Sequence, residues 1–272
     1  AEKPYYINFP VTDAPDVPQH NVLHDKHEGI MMHDVRGLED QFHIDTQGFQ
    51  LVRYPTSLSN DDFEVDHIVR IKYYPEIVRL LTKILGASRV VPFEHTVGFP
   101  NQRQLAMLQS SRHTSDQTGP STEQRVKYQM GDDAAALLKG QYQIINVWRP
   151  LFGPLRDFPL CLGDSRTVDL TRDGEPTDLV FPHYVGESMN LYYHPDHKWH
   201  FVSDQMRDEV WVFKCFCFDT KDRVAIGKFA AIFSCLSDFF MLLLIHLGLL
   251  SGSTLGANLL YLLEFSRSPL LL

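Results

Sequence analysis

His113-Thr114-Ser115-Asp116-Gln117-Thr118 sets an imidazole and a carboxylate close together among polar neighbours. That donor pair suits a borderline metal such as iron, and two histidines with one carboxylate, leaving positions open, form the ligand set of a non-haem Fe(II) centre. His113 and Asp116 are therefore the candidate metal ligands of the chain. Two residues separate them, so along a strand of period two their side chains point to opposite faces unless a bulge or turn re-aims one.

The elements that must hold this pair read mainly as strands. Gly48 to Tyr54, Val90 to Phe93, Gln143 to Leu151, Pro159 to Asp164, Gly186 to Tyr193, Lys198 to Val202 and Glu209 to Phe216 are short β-rich runs, several alternating apolar and polar. Helical spacing of Ile68, Ile71, Val78, Leu81 and Leu85 predicts a helix over 66–85 that stops at Gly86, and a second helix is expected over 122–139 before Gly140. Strands at near-regular intervals with helices packed before them predict an α+β chain, mainly β, with a sandwich or barrel at its centre. Residues 1–34, rich in Pro, Asp and His, read as an irregular N-terminal arm.

Composition excludes several classes. The 272 residues are 44% hydrophobic, enough for a sizeable core, while a net charge of -9 argues against a nucleic-acid surface and favours a small-molecule partner. Cys161, Cys215, Cys217 and Cys235 are spaced neither as a disulfide framework nor as a zinc site, and read as reduced core thiols of a cytoplasmic protein. Residues 1–10 lack the basic and apolar regions of a secretory signal.

From 225 to 272 the composition shifts to Leu, Phe and Ile, with Lys228, Asp238, Glu264 and Arg267 the charged groups. Phe229 to Leu250 is long enough to span a bilayer. Asp238 near its middle opposes that, as does the want of a basic flank, so membrane insertion is not the expectation. A pair of buried helices and a segment foreign to the evolved domain are the other readings. Gly227-Lys228-Phe229 can be encoded by a string containing an intron donor, which makes a translated intron a specific form of the last.

The ordered series Phe93-Glu94-His95-Thr96-Val97, His113 to Thr118, Gln143 to Leu151, Pro182 to Glu187, Tyr193 to Trp199, Ser203 to Met206 and Asp208 to Phe216 resembles a family of fungal and bacterial hydroxylases and desaturases related to cephem methoxylase and gibberellin desaturase. The resemblance runs from about Val35 to Lys221, within an oxygenase-like domain expected over 35–224 and C-terminally incomplete, and leaves 225–272 as an apolar tail outside the family. It implies a double-stranded β-helix (jelly-roll) core with flanking helices, and an oxidoreductase using Fe(II), 2-oxoglutarate and O2 on a small molecule of secondary metabolism. His113 and Asp116 become the first two iron ligands, and Arg149, Tyr193 and Lys214 candidates for binding substrate or cosubstrate. A structural role competes for each of the three, Arg149 by stacking or by pairing with Asp157, Lys214 by closing a strand edge.

The chain departs from the family pattern, which places one residue between the first two ligands and carries a Pro-His pair and then an arginine after the strand ending at Phe216. Neither feature follows Phe216 here, and His246 and Arg267 lie in other contexts. His183, His194, His197 and His200 are the alternative sources of a third ligand, although the last three fall in a hairpin where turn and surface roles are expected. An oxygenase-like binding protein without activity is the competing reading.

Overall fold

A computed structural model describes residues 2–11, 16–23, 27, 29–97, 114–115, 118–156, 159–219, 224–225, 231–234 and 256–265. Two sheets dominate. The larger has the spatial order β1 (Tyr5–Ile7), β8 (Gly174–Val180), β9 (Val185–Leu191), β5 (Thr114–Ser115), β13 (Ala231–Ser234), β7 (Leu160–Gly163), β10 (Trp199–Phe201) and β2 (Met32–Asp34). The smaller runs β12 (Val224–Ala225), β11 (Glu209–Asp219), β6 (Gln141–Pro150), β14 (Gly256–Phe265) and β4 (Arg89–Val97), with β3 (Phe49–Arg53) also paired to β11.

Alternation along β6 and β11 builds two cores from one sheet. Ile145 and Val147 of β6, with Val210 and Val212 of β11, face the helix Tyr74–Leu85 and pack on its Tyr74, Ile77, Leu80 and Leu81. Their neighbours Ile144, Trp211, Phe213 and Cys215 face the other way, toward Leu162 of β7, Val202 after β10 and the helix Gly119–Met130. Each fully buried aliphatic side chain contributes about 1.5–3 kcal/mol. These two clusters fix the register of the sheet, because a one-residue slip would exchange them.

The helix predicted over 66–85 is present but not uniform. Asp66–Ile68 leads into a π turn, Val69–Tyr73, before the α-helix Tyr74–Leu85. The extra residue of the π turn rotates the surface, so that Tyr73 is fully buried while Ile71 is exposed. Gly86 ends the helix at φ 64°, a left-handed position that suits glycine, and its N–H bonds to Thr82 O at 3.1 Å. The second expected helix is shorter and broken: Gly119–Met130, a 3-10 turn at Gly131–Asp133, then Ala134–Leu137. Gly131, at φ 51°, marks the break.

The N-terminal arm is more regular than its composition suggests. β1 pairs in parallel with β8 and β2 in parallel with β10, so the arm supplies strands at both ends of the larger sheet. The apolar tail also differs from expectation where it is described. Residues 231–234 lie in the larger sheet beside β5 and β7, and 256–265 lie between β6 and β4 in the smaller. Of the Phe229 to Leu250 run, only 231–234 are described, and they are a strand. Among the described residues no helix is long and apolar enough to cross a membrane.

Candidate active site

His113 and Asp116 lie outside the described residues. The two residues between them in sequence, Thr114 and Ser115, form β5, which sits inside the larger sheet with β9 on one side and β13 on the other. Thr114 is registered with Asn190 and with Ile232, and Ser115 with Met189. Strand β9 also receives the chain beyond this stretch. Thr118 caps the helix Gly119–Met130 by accepting from Ser121 N at 3.4 Å, and its hydroxyl donates to Glu187 Oε1 on β9. Glu187 Oε2 in turn accepts from Lys3 Nζ at 2.6 Å, and Lys3 also reaches Asp178 of β8. A single strand thus holds the segment at 114–115 through its backbone and at 118 through a carboxylate. Glu187 was not singled out by sequence; its signal was its place in the Gly186-Glu187 motif before an alternating strand.

Asn190, across from Thr114, has a buried side-chain oxygen without a hydrogen-bond partner among the described residues. A buried acceptor in that state fits a polar occupant beside β5. Among the described residues no three His, Cys, Asp or Glu side chains gather closely enough to hold a metal. The candidate ligands His113 and Asp116 lie outside those residues.

Arg149, Lys214 and Tyr193 are not brought together with one another. Arg149 is fully buried on the helix-facing side of β6, where its Nε donates to the Tyr73 hydroxyl at 2.6 Å and its Nη2 to Tyr54 O at 2.9 Å. Its guanidinium also lies 5.1 Å from the centre of the Tyr73 ring. The partner expected from sequence, Asp157, is outside the described residues. Lys214 shares the face of Val210 and Val212 and donates to Asp45 Oδ1 at 2.6 Å. Tyr193 is exposed after β9 and stacks on His27 with ring centres 4.3 Å apart. The wall that faces the larger sheet is instead made by Trp148, Trp211, Phe213 and Phe49, with the Trp211 indole nitrogen buried and lacking a hydrogen-bond partner among the described residues.

The hairpin histidines correct a further expectation. His194 is partly exposed, but His197 and His200 are buried. His197 Nε2 lies 2.8 Å from Asp173 Oδ2, and Arg172 grips the same carboxylate through Nε and Nη2 at 2.5 and 2.8 Å. Arg172, with His197 adding its hydrogen bond against the cost of desolvation, holds the Asp173 carboxyl far below the usual carboxylate range. Cys161, Cys215 and Cys217 are buried in the core, where composition placed them.

Two packed sheets of this order, with a short strand carrying the polar stretch inside one of them, define a double-stranded β-helix protein. The solved iron and α-ketoglutarate-dependent endoperoxidase NvfI shares this fold, with TM-score 0.79 over 98% of this chain and 94% of that one, at 23% identity. The family model described as oxidoreductase/YMDC permease-like domain matches residues 1–234, taking in the arm and reaching past Val224. The hydroxylase/desaturase EfuI of Hormonema carpetanum is 31% identical over 218 residues, covering 71% of this chain and 72% of its own. The α-ketoglutarate-dependent dioxygenase TstK of Talaromyces stipitatus is 28% identical over 217 residues, 72% of this chain and 75% of its own. The Fe(II)/2-oxoglutarate-dependent dioxygenase NvfI of Aspergillus novofumigatus is 27% identical over 219 residues, 76% of each. The chain belongs to this family of fungal oxidoreductases, whose cofactor and cosubstrates are Fe(II), 2-oxoglutarate and O2.

Proposed function

We propose that the chain is a hydroxylase or desaturase of a small molecule in secondary metabolism, with His113 and Asp116 as two protein ligands to Fe(II). The observation that carries this reading is the placement of Thr114–Ser115 as an interior strand of the larger sheet, fastened on both sides. When bound, Fe(II) with 2-oxoglutarate and O2 as cosubstrates would supply removal of a substrate hydrogen, O2 being the oxidant. The protein's share is positional: β9 and Glu187 hold the polar stretch, and Trp148, Trp211 and Phe213 give the space between the sheets an apolar wall. A cytoplasmic setting fits cysteines that are buried core residues and are not spaced as a disulfide framework.

The test is anaerobic Fe(II) titration of the purified chain, followed by succinate release from 2-oxoglutarate on admitting air. Stoichiometric binding and turnover, both lost in His113→Ala and Asp116→Ala, support the assignment. Iron binding that persists in the double variant refutes it.

The second reading is an oxygenase-like binding protein without turnover, favoured by the departure from the family pattern after Phe216, where the Pro-His pair is missing from the sequence. Substrate-class binding with no succinate release would select it. The domain limits proposed are an arm at 1–34, an oxygenase-like domain at 35–224 and a tail at 225–272. Transcript reads that skip codons 225–272 would mark that tail as translated intron, and reads that run through it would remove the idea.

A further inference from the structure

Strands β2 and β10 run parallel with His33 registered to His200, so the two side chains leave the ladder on the same face. Their ring centres are 5.5 Å apart, with planes inclined by 33°. His200 is only 7% exposed, enclosed by Phe42 and Phe49 with ring centres at 5.0 and 5.6 Å, and its Nδ1 is buried with no hydrogen-bond partner among the described residues. Burial holds this imidazole below its ordinary pKa, which keeps it neutral and leaves one ring nitrogen as a lone pair. His33 is exposed and lines a cleft of about 660 Å³ together with Arg166, Thr167, Asp169 and Lys198.

We propose that His33 and His200 bind a divalent transition metal of the zinc class, with water from the cleft filling the other positions. Imidazole nitrogen is the preferred donor for such ions. An ion about 2.0–2.1 Å from one nitrogen of each ring sits between ring centres roughly 5–6 Å apart, which is the observed separation. A lone pair buried without a partner, beside a second imidazole at that distance, is the arrangement a metal satisfies and a hydrogen bond does not. The carboxylate of Asp164 lies near His200 and favours positive charge there, and both its oxygens also accept from Arg166. The site is formed by β2 and β10, and in the larger sheet β13 and β7 stand between β10 and β5. Its effect is to tie the N-terminal arm to the larger sheet.

The experiment is Zn(II) titration of the full chain by calorimetry, with thermal unfolding in zinc and in chelator, for wild type, His33→Ala, His200→Phe and the His113→Ala/Asp116→Ala double variant. The expected result is a zinc-dependent rise in Tm in wild type and in the double variant, with affinity falling at least tenfold in His33→Ala and His200→Phe. Cu(II) used as a paramagnetic probe then shows coupling to two imidazole nitrogens in wild type and to one in His33→Ala. Zinc affinity unchanged in His33→Ala, or no zinc-dependent stabilisation of wild type, overturns the site. His33 is exposed, so its alanine variant decides the matter even if His200→Phe fails to fold. Zinc binding lost only in the double variant assigns the metal to the 113–116 stretch and likewise overturns it.

Discussion

Arg149 and Tyr73 are joined twice, by a 2.6 Å hydrogen bond from Nε to the phenol oxygen and by the guanidinium lying 5.1 Å from the centre of the same ring. This pair fastens β6 to the π turn that precedes the main helix and gives Arg149 a structural role. Arg149→Met is expected to cost about 3 kcal/mol, because the Tyr73 hydroxyl and the Tyr54 carbonyl are left buried and unpaired. Arg149→Lys should recover part of that, since an ammonium keeps the charge but not the fork. Urea unfolding measures both. A tenfold change in the 2-oxoglutarate KM of Arg149→Lys with unchanged stability would return the residue to the active site.

Lys214 and Asp45 are unequally buried, with side chains 4% and 66% exposed. Removing the exposed partner strands a buried ammonium, whereas removing the lysine strands nothing. Asp45→Ala is therefore expected to cost about 1–3 kcal/mol and Lys214→Met less than about 1 kcal/mol. Equal losses in denaturant titrations would contradict the asymmetry.

Thr118→Ala removes both the helix cap and the hydroxyl that bonds Glu187. The expected loss is about 1–2 kcal/mol, most of it restored by Thr118→Ser. Thermal unfolding of the two variants side by side tests whether the hydroxyl, rather than the shape, is what matters.

Asp173 sets an acid limit on stability. Its carboxyl, held down by Arg172 and by His197, titrates far below an unfolded aspartate at about 3.9. The unfolded chain therefore takes up a proton first as pH falls, and stability drops progressively below about pH 4. Asp173→Asn should be less stable at neutral pH and show a shallower acid decline, read from urea midpoints between pH 5 and the acid transition.

His200 acts in a higher window. Burial, the largest influence on it, lowers its pKa from an unfolded value of about 6.5. Stability from its neutral form is complete above that pH and falls as pH drops through it, because the unfolded state binds the proton more readily. In chelator, His200→Phe should flatten this part of the stability profile. A profile identical to wild type would place the titration elsewhere.

Much of the fold is legible in the sequence where burial has a regular period. Gln143 to Leu151 falls on β6, Gly186 to Tyr193 on β9 and Glu209 to Phe216 on β11, each within a few residues. The arm was not legible, because three-residue edge strands carry too little pattern to show an alternation. Nor was the tail: an unbroken apolar run suits a buried strand as well as a helix, and only pairing with β4 and β6 distinguishes them for 256–265.

The site shows the same division. The family resemblance makes Arg149 and Lys214 candidates for the cavity, while their parity with Val147 and Val212 sets them on the helix-facing side. A hairpin position predicts turn and surface roles for His197 and His200. What buried them was distant: Asp173 for one, Phe42 and Phe49 for the other.

Residues 256–265 occupy the slot between β4 and β6, two strands that precede them by more than a hundred positions in the chain. During synthesis β4 and β6 must therefore leave the ribosome with facing edges unpaired and wait for the last strand to arrive. Such open edges are templates for pairing with other chains. The smaller sheet closes late, and the yield of folded protein should depend on chaperone protection during that interval more than on the final stability of either core.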